Sequence, residues 1–138
     1  METINFSQAD VNYELSHKRK TRDLIKKLFL LERVKMESFS VVFCSDTYLL
    51  KINREYLNHD YYTDIITFDL SASNLVEGEL YISVDRVKEN AKNLKTQFSV
   101  EILRVIIHGA LHLCGYKDKT SPEEKKMRMK EDYYLNKL

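Results

Sequence analysis

The stretch from Val100 to Leu113 constrains this chain more than any other. Val100, Leu103, Val105, Ile106, Ile107, Ala110, Leu111 and Leu113 leave no wide polar face on a helix, and a helix that is apolar nearly all round is a buried one. Any fold the chain adopts has to wrap this segment. Ser99 is placed to cap it, and Ile102 stands three residues on, where a capping box would have Glu or Gln, so no box is expected. Gly115 is placed to end it in a left-handed conformation. Two imidazoles, His108 and His112, interrupt the apolar surface. Buried polar groups need partners, so the pair needs a shared reason to be there.

The rest of the chain supplies the wrapping. Its 138 residues suit one domain with one core, residues 1–138. Leu24, Ile25, Leu28, Phe29 and Leu31 fall at helical spacing opposite Lys and Arg, predicting an amphipathic helix from near His17 to about Lys35. Phe39, Val41, Val42 and Phe43 read as a buried strand. Ser45 and Asp46 are N-cap candidates for a helix carrying Tyr48, Leu49, Ile52 and Tyr56. Residues Ile65 to Phe68 and Gly78 to Ser83 read as strands, with a loop from Ser71 to Glu77 between them. Asp85 opens a helix with Val87, Ala91 and Leu94. Ser121-Pro122-Glu123-Glu124 starts the last helix, with Ser as cap, Pro at the first position and acids in the first turn. The expected architecture is α/β or α+β: a mixed sheet of about four strands with about five helices, one of them a zincin-like metal helix.

Composition narrows the function classes. No apolar run approaches the roughly 20 residues that span a bilayer, and the N-terminus lacks a basic region followed by an apolar stretch. Cys44 and Cys114 both sit beside apolar neighbours, which favours buried free thiols over a disulfide. The expectation is a cytoplasmic enzyme or binding domain with no membrane partner. A net charge of +1 argues against a bulk polycation, but the charges are unevenly spread. Lys18, Arg19, Lys20, Arg22, Lys26 and Lys27 face a single acid, Asp23, whereas eight acids face two bases between Glu55 and Asn90. The basic run is either a solvated helix face or a surface that meets phosphates.

The chemistry concentrates between His108 and Asp118. Histidines at i and i+4 stand one above the other on a helix, so both rings can reach one tetrahedral ion at about 2.0–2.1 Å. Asp118, beyond the Gly115 turn, is the candidate third ligand, which would leave a fourth position for water as catalytic zinc requires. His17 and His59 lack such surroundings and read as surface residues. Cys114 follows His112 by two residues and points away from the face the histidines share. The spacing is close to the metzincin pattern H-E-x-x-H-x-x-G-x-x-H. Here Gly109 stands where a metallopeptidase has its general-base Glu, and Asp118 where it has a third His. A metallopeptidase therefore becomes the weaker alternative.

At these residues the sequence closely resembles the YbeY family of bacterial metal-dependent endoribonucleases, whose pattern reads H-G-x-L-H-L-x-G-Y-D-H. His108, Gly109, Leu111, His112, Leu113, Gly115 and Tyr116 match it, and Lys117-Asp118 replaces Asp-His. A second family segment is similar to Asn53, Tyr56, Thr63, Asp64, Ile65, Ile66, Thr67 and Phe68, with Tyr62 in place of a proline. A third resembles Gly78-Glu79-Leu80. The family's functional arginine falls at Leu57, and Arg54 lies one helical turn earlier.

The resemblance implies a single-strand-specific endoribonuclease with one zinc ion. It would act on ribosomal RNA, at the 3′ end of 16S rRNA, and in ribosome quality control, with the small ribosomal subunit as partner. Under it, His108, His112 and Asp118 hold the metal. Arg54 or Lys117 offsets phosphate charge, and Asp64 and Glu79 are candidate bases, each equally readable as an ordinary turn or strand-end carboxylate. Lys18, Arg19, Lys20, Lys26 and Lys27 would meet RNA outside the cleft. The competing reading is a non-catalytic, RNA-binding ribosome-assembly factor with a structural metal.

Overall fold

A computed structural model of the chain describes residues 3–138. Among them the elements run β1 (Thr3–Gln8), α1 (Lys18–Leu31), β2 (Met36–Cys44), α2 (Asp46–Leu57), β3 (Ile65–Asp69), β4 (Val76–Ser83), α3 (Val84–Asn93), α4 (Phe98–Leu113) and α5 (Ser121–Leu135). The sheet order is β1-β2-β4-β3. β1, β2 and β4 are parallel, and β3 is an antiparallel edge strand on β4. The architecture is therefore the mixed four-stranded α+β fold with five helices that the sequence predicts. Among the described residues no helix is long and apolar enough to cross a membrane.

α4 is the buried centre, as its composition demands. Ile102, Val105, Ile106, Ile107, Ala110, Leu111 and Leu113 all lie in the main core with Leu80 and Ile82 of β4. Gly109 is what lets the helix approach the sheet. A Cβ there would stand 2.4 Å from Leu80 Cδ2 and 3.0 Å from Ile65 Cδ1. The opposite face of the sheet carries a smaller cluster of Cys44, Leu49 and Ile66, with Ile52, Phe68 and Tyr81 packed on it from α2, β3 and β4. Both thiols are free, and burial pushes each up to about 12.

The structure shifts several expected boundaries, each for a local reason. α1 stops at Leu31 rather than near Lys35, because Arg33 adopts φ 59° and Val34 N–H bonds back to the Phe29 carbonyl. That is a left-handed helix end without the glycine that signals one. β4 begins at Val76, inside the expected loop, through pairing with Met36. Ser83, not Asp85, caps α3 by accepting from Arg86 N–H. Gln97 precedes α4 without a side-chain cap, so Ser99 lies inside the helix. Thr120 rather than Ser121 caps α5, in a capping box with Glu123. The Ser45 cap of α2 is as expected, accepting from Tyr48 N–H.

Candidate metal centre

The i, i+4 spacing on α4 brings the two imidazoles edge to face, with ring centroids 4.6 Å apart at 83°. Their Nε2 atoms converge to 3.0 Å. α4 then ends in a Schellman turn: Gly115, at φ 101°, donates to the His112 carbonyl and Tyr116 to the Leu111 carbonyl. The turn folds the chain back over the histidines. Asp118 Oδ2 arrives 3.2 Å from His108 Nε2 and 3.4 Å from His112 Nε2.

Which ring nitrogens carry protons follows from the other side of each ring. His112 Nδ1 lies 2.8 Å from the Tyr116 carbonyl oxygen, which can only accept. His108 Nδ1 lies 2.7 Å from Glu131 Oε2. Both rings therefore donate through Nδ1 and turn a bare Nε2 inward. Two nitrogen lone pairs and a carboxylate oxygen then face one another, an arrangement that repels unless a cation sits among them. Ligand atoms about 2.0–2.1 Å from a tetrahedral zinc stand roughly 3.3 Å apart; the three separations here are 3.0, 3.2 and 3.4 Å. The donor set fits a zinc-class ion.

The supporting shell is built from helices. Glu131 on α5 is buried and also accepts from Arg104 of α4 at 3.0 Å, while Arg104 reaches Asp132 at 2.7 Å. Tyr116, whose carbonyl holds His112, donates its hydroxyl to Glu32 at 2.7 Å. Glu32 also receives the Tyr134 hydroxyl and, at 3.2 Å, Lys130 Nζ. A cleft of about 380 Å³ opens beside the triad, lined by Asp64, Glu101, Arg104, His108, Asp118 and Arg128 among others. Burial alone would lower the His108 pKa, but the Glu131 hydrogen bond and charge, with Asp118 and Asp64, raise it. Burial raises the Asp64 carboxyl, outweighing the opposing pull of His108.

Of the residues singled out from sequence, the structure brings His108, His112 and Asp118 together, and Asp64 lines the cleft beside them with His108 and Asp118. Glu79 is not there. It alternates with Leu80 on β4, so it faces away from α4, bonded to Tyr81 in a groove beside Tyr48 and Tyr56. Arg54 is also elsewhere, exposed on α2 and paired with Asp60. Lys117 lies in the turn but lines a different hollow, with Glu32, Glu123 and Lys126. Arg19, Lys20, Lys26 and Lys27 form the exposed face of α1, and Lys18 pairs with Glu14 at 2.8 Å. The sequence reading missed Glu131, Arg104, Glu101 and Arg128. For Glu101 and Arg104 the signal was a polar stripe on α4, Glu101-Arg104-His108-His112, at spacings of three, four and four.

An α+β domain that gathers two imidazole nitrogens and a carboxylate oxygen beside a cleft has the build of a mononuclear metal hydrolase. Comparison with known proteins is more specific. The family described as Endoribonuclease YbeY matches residues 3–138. A protein of Cytophaga hutchinsonii named Endoribonuclease YbeY is 46% identical over 98% of this chain and 95% of its own. One of the same name from Christiangramia forsetii is 47% identical over 94% and 90%. The solution structure of TM1509 from Thermotoga maritima superposes with a TM-score of 0.68 at 27% identity, covering 96% of this chain and 87% of that one. This chain belongs to the YbeY endoribonuclease family.

Proposed function

We propose that the chain is a single-strand-specific endoribonuclease that holds one zinc ion on His108, His112 and Asp118. It processes ribosomal RNA at the 3′ end of 16S rRNA and serves ribosome quality control, in the cytoplasm, with the small ribosomal subunit as partner. Family membership supports the reaction class. The observation that carries the site is the convergence of two bare Nε2 atoms and one Oδ2 within 3.4 Å, each ring locked through its far nitrogen.

When bound, the ion supplies Lewis acidity toward a phosphoryl oxygen and lowers the pKa of water. The chain's own residues do the rest. Glu131 and the Tyr116 carbonyl hold the rings at fixed angles, so the ligand set needs no reorganisation. Asp64 is the proton carrier of this reading. It lies in the cleft, tethered by Asn90 Nδ2 at 3.3 Å, and burial makes its carboxylate more basic than an exposed one. The exposed basic face of α1 tracks the RNA backbone outside the cleft. Peptide hydrolysis has no support: Gly109 packs on Leu80, where a metallopeptidase helix carries its Glu.

The test is cleavage of a labelled single-stranded RNA by zinc-loaded protein, beside His112→Ala purified in parallel. Cutting that disappears in the variant supports the reading. RNA binding without cutting by the wild type would replace it with the assembly-factor reading.

A further inference from the structure

We propose that Arg128 is the side chain that meets the RNA phosphate at the metal cleft, an inference that rests on the ribonuclease reading above. A phosphodiester entering this cleft meets five carboxylates, Asp64, Glu101, Asp118, Glu124 and Glu131, and two cations, Arg104 and Arg128. The two arginines are differently placed. Arg104 is 18% exposed and spends its guanidinium on Glu131 at 3.0 Å and Asp132 at 2.7 Å. Its fork is committed to holding Glu131, and through it His108.

Arg128 stands on the adjacent turn of α5, and its side chain is 54% exposed. Its NH1 is 3.6 Å from Glu131 Oε1, beyond hydrogen-bond range. The guanidinium therefore lies one carboxylate away from the His108 ring, in a loose ion pair with Glu131 but with no hydrogen bond made by its donors, at the mouth of the cleft that His108 and Asp118 line. A planar fork with free donors is the group that binds a phosphate through two parallel hydrogen bonds. The other basic candidates face elsewhere: Arg54 is paired with Asp60, and Lys117 lines the hollow beside Glu32. A cation here also offsets the charge that builds on the phosphoryl oxygens during displacement.

The test compares wild type, Arg128→Gln and Arg128→Lys in three measurements: kcat/KM on a single-stranded RNA, zinc affinity by chelator competition, and binding of a 2′-O-methyl oligonucleotide, checked by gel to stay uncut, across a salt series. Arg128→Gln is expected to lose roughly ten- to a hundredfold in kcat/KM, the range for a hydrogen bond to a charged group. It should also lower the salt slope of oligonucleotide binding by about 0.7, one single-strand phosphate contact. Arg128→Lys should recover the slope but only part of the rate. Zinc affinity should not weaken in either variant. Unchanged cleavage in Arg128→Gln overturns the inference. So does a weakened zinc affinity, which would make Arg128 a support for Glu131. If the wild type cuts no RNA, the ribonuclease reading falls by itself, and the oligonucleotide arm decides on Arg128: an unchanged slope overturns the phosphate contact, and a reduced one upholds it.

Discussion

Glu131 on α5 accepts a hydrogen bond from His108 Nδ1 on α4 across 2.7 Å, so a buried carboxylate from the last helix sets the direction of a ring of the candidate metal centre on the helix before it. The bond fixes the tautomer and makes Nε2 a better donor to a metal. Glu131→Gln keeps the shape and removes the charge. It is expected to weaken zinc affinity by roughly ten- to a hundredfold, the usual cost of losing an outer-shell partner. Competition with a chromophoric chelator measures it, and an affinity equal to wild type would remove Glu131 from the site.

Glu32 does the corresponding work for His112 at one remove, by anchoring Tyr116. Burial alone would raise its pKa, but bonds from Tyr134, Tyr116 and Lys130 hold it below the ordinary value of 4.5. A carboxylate with a depressed folded pKa stabilises the fold above its unfolded pKa, and that stability is lost as pH falls through the folded value. Thermal melts of wild type should therefore steepen in acid below about pH 4.5. Glu32→Gln should start from a lower Tm at pH 7 and decline less over the same acid range. Parallel acid limbs in the two proteins would rule out this account of Glu32.

The histidine pair was legible in the sequence because one helix fixes its geometry: i and i+4 share a face whatever the tertiary fold. Asp118 was legible as a candidate because Gly115 announces a reversal. The partners of those ligands come from other elements, and nothing local marks them. α5 is polar almost all round, and its buried residues are Met127, Glu131 and Tyr134. A carboxylate within so short a buried stripe was the sole hint of Glu131. β1 escaped because Thr3–Gln8 offers only Ile4 and Phe6 as apolar residues, an edge strand defined by its pairing with β2. Glu79 was assigned to the site by motif position, although the alternation Glu79-Leu80-Tyr81-Ile82 already divides those residues between two faces of a sheet.

Gly109→Ala should destabilise the protein even though Ala is favoured over Gly in a helix by about 1 kcal/mol. The added methyl would lie 2.4 Å from Leu80 Cδ2 and 2.8 Å from Leu80 Cγ, against a buried strand. Overpacking of this kind costs about 1–3 kcal/mol. Urea unfolding monitored by circular dichroism should show a lower midpoint. A raised midpoint would mean that helix propensity outweighs the contact with β4.

The basic face of α1 should contribute to RNA affinity without touching the chemistry. Lys20, Lys26 and Lys27 are exposed there, while Lys18 is engaged by Glu14. Replacing the three free lysines with Gln should reduce the salt slope of single-stranded RNA binding by up to about 2, at roughly 0.7 per contact. kcat at saturating RNA should stay within about twofold, since none of the three lines the cleft. An unchanged slope would leave the run as a solvated helix face.

Asp118 is the one member of the proposed ligand set outside α4, so it is the member whose role in holding a metal is most open to test. With zinc at a hundredfold excess over Kd, binding to the folded state adds about 2.7 kcal/mol, on the order of a 10 °C rise in Tm for a chain of this size. His112→Ala should abolish that rise, since it removes one of two nitrogen donors that already face each other at 3.0 Å. Asp118→Ala should cut zinc affinity by more than the roughly ten- to hundredfold expected of an outer-shell change such as Glu131→Gln. Melts of the two variants and wild type, with and without zinc, rank the ligands directly. If Asp118→Ala kept the full rise, the two histidines alone would hold the ion. The 3.2 and 3.4 Å approaches of Asp118 would then be hydrogen-bond contacts to a protonated ring rather than the third corner of a metal site.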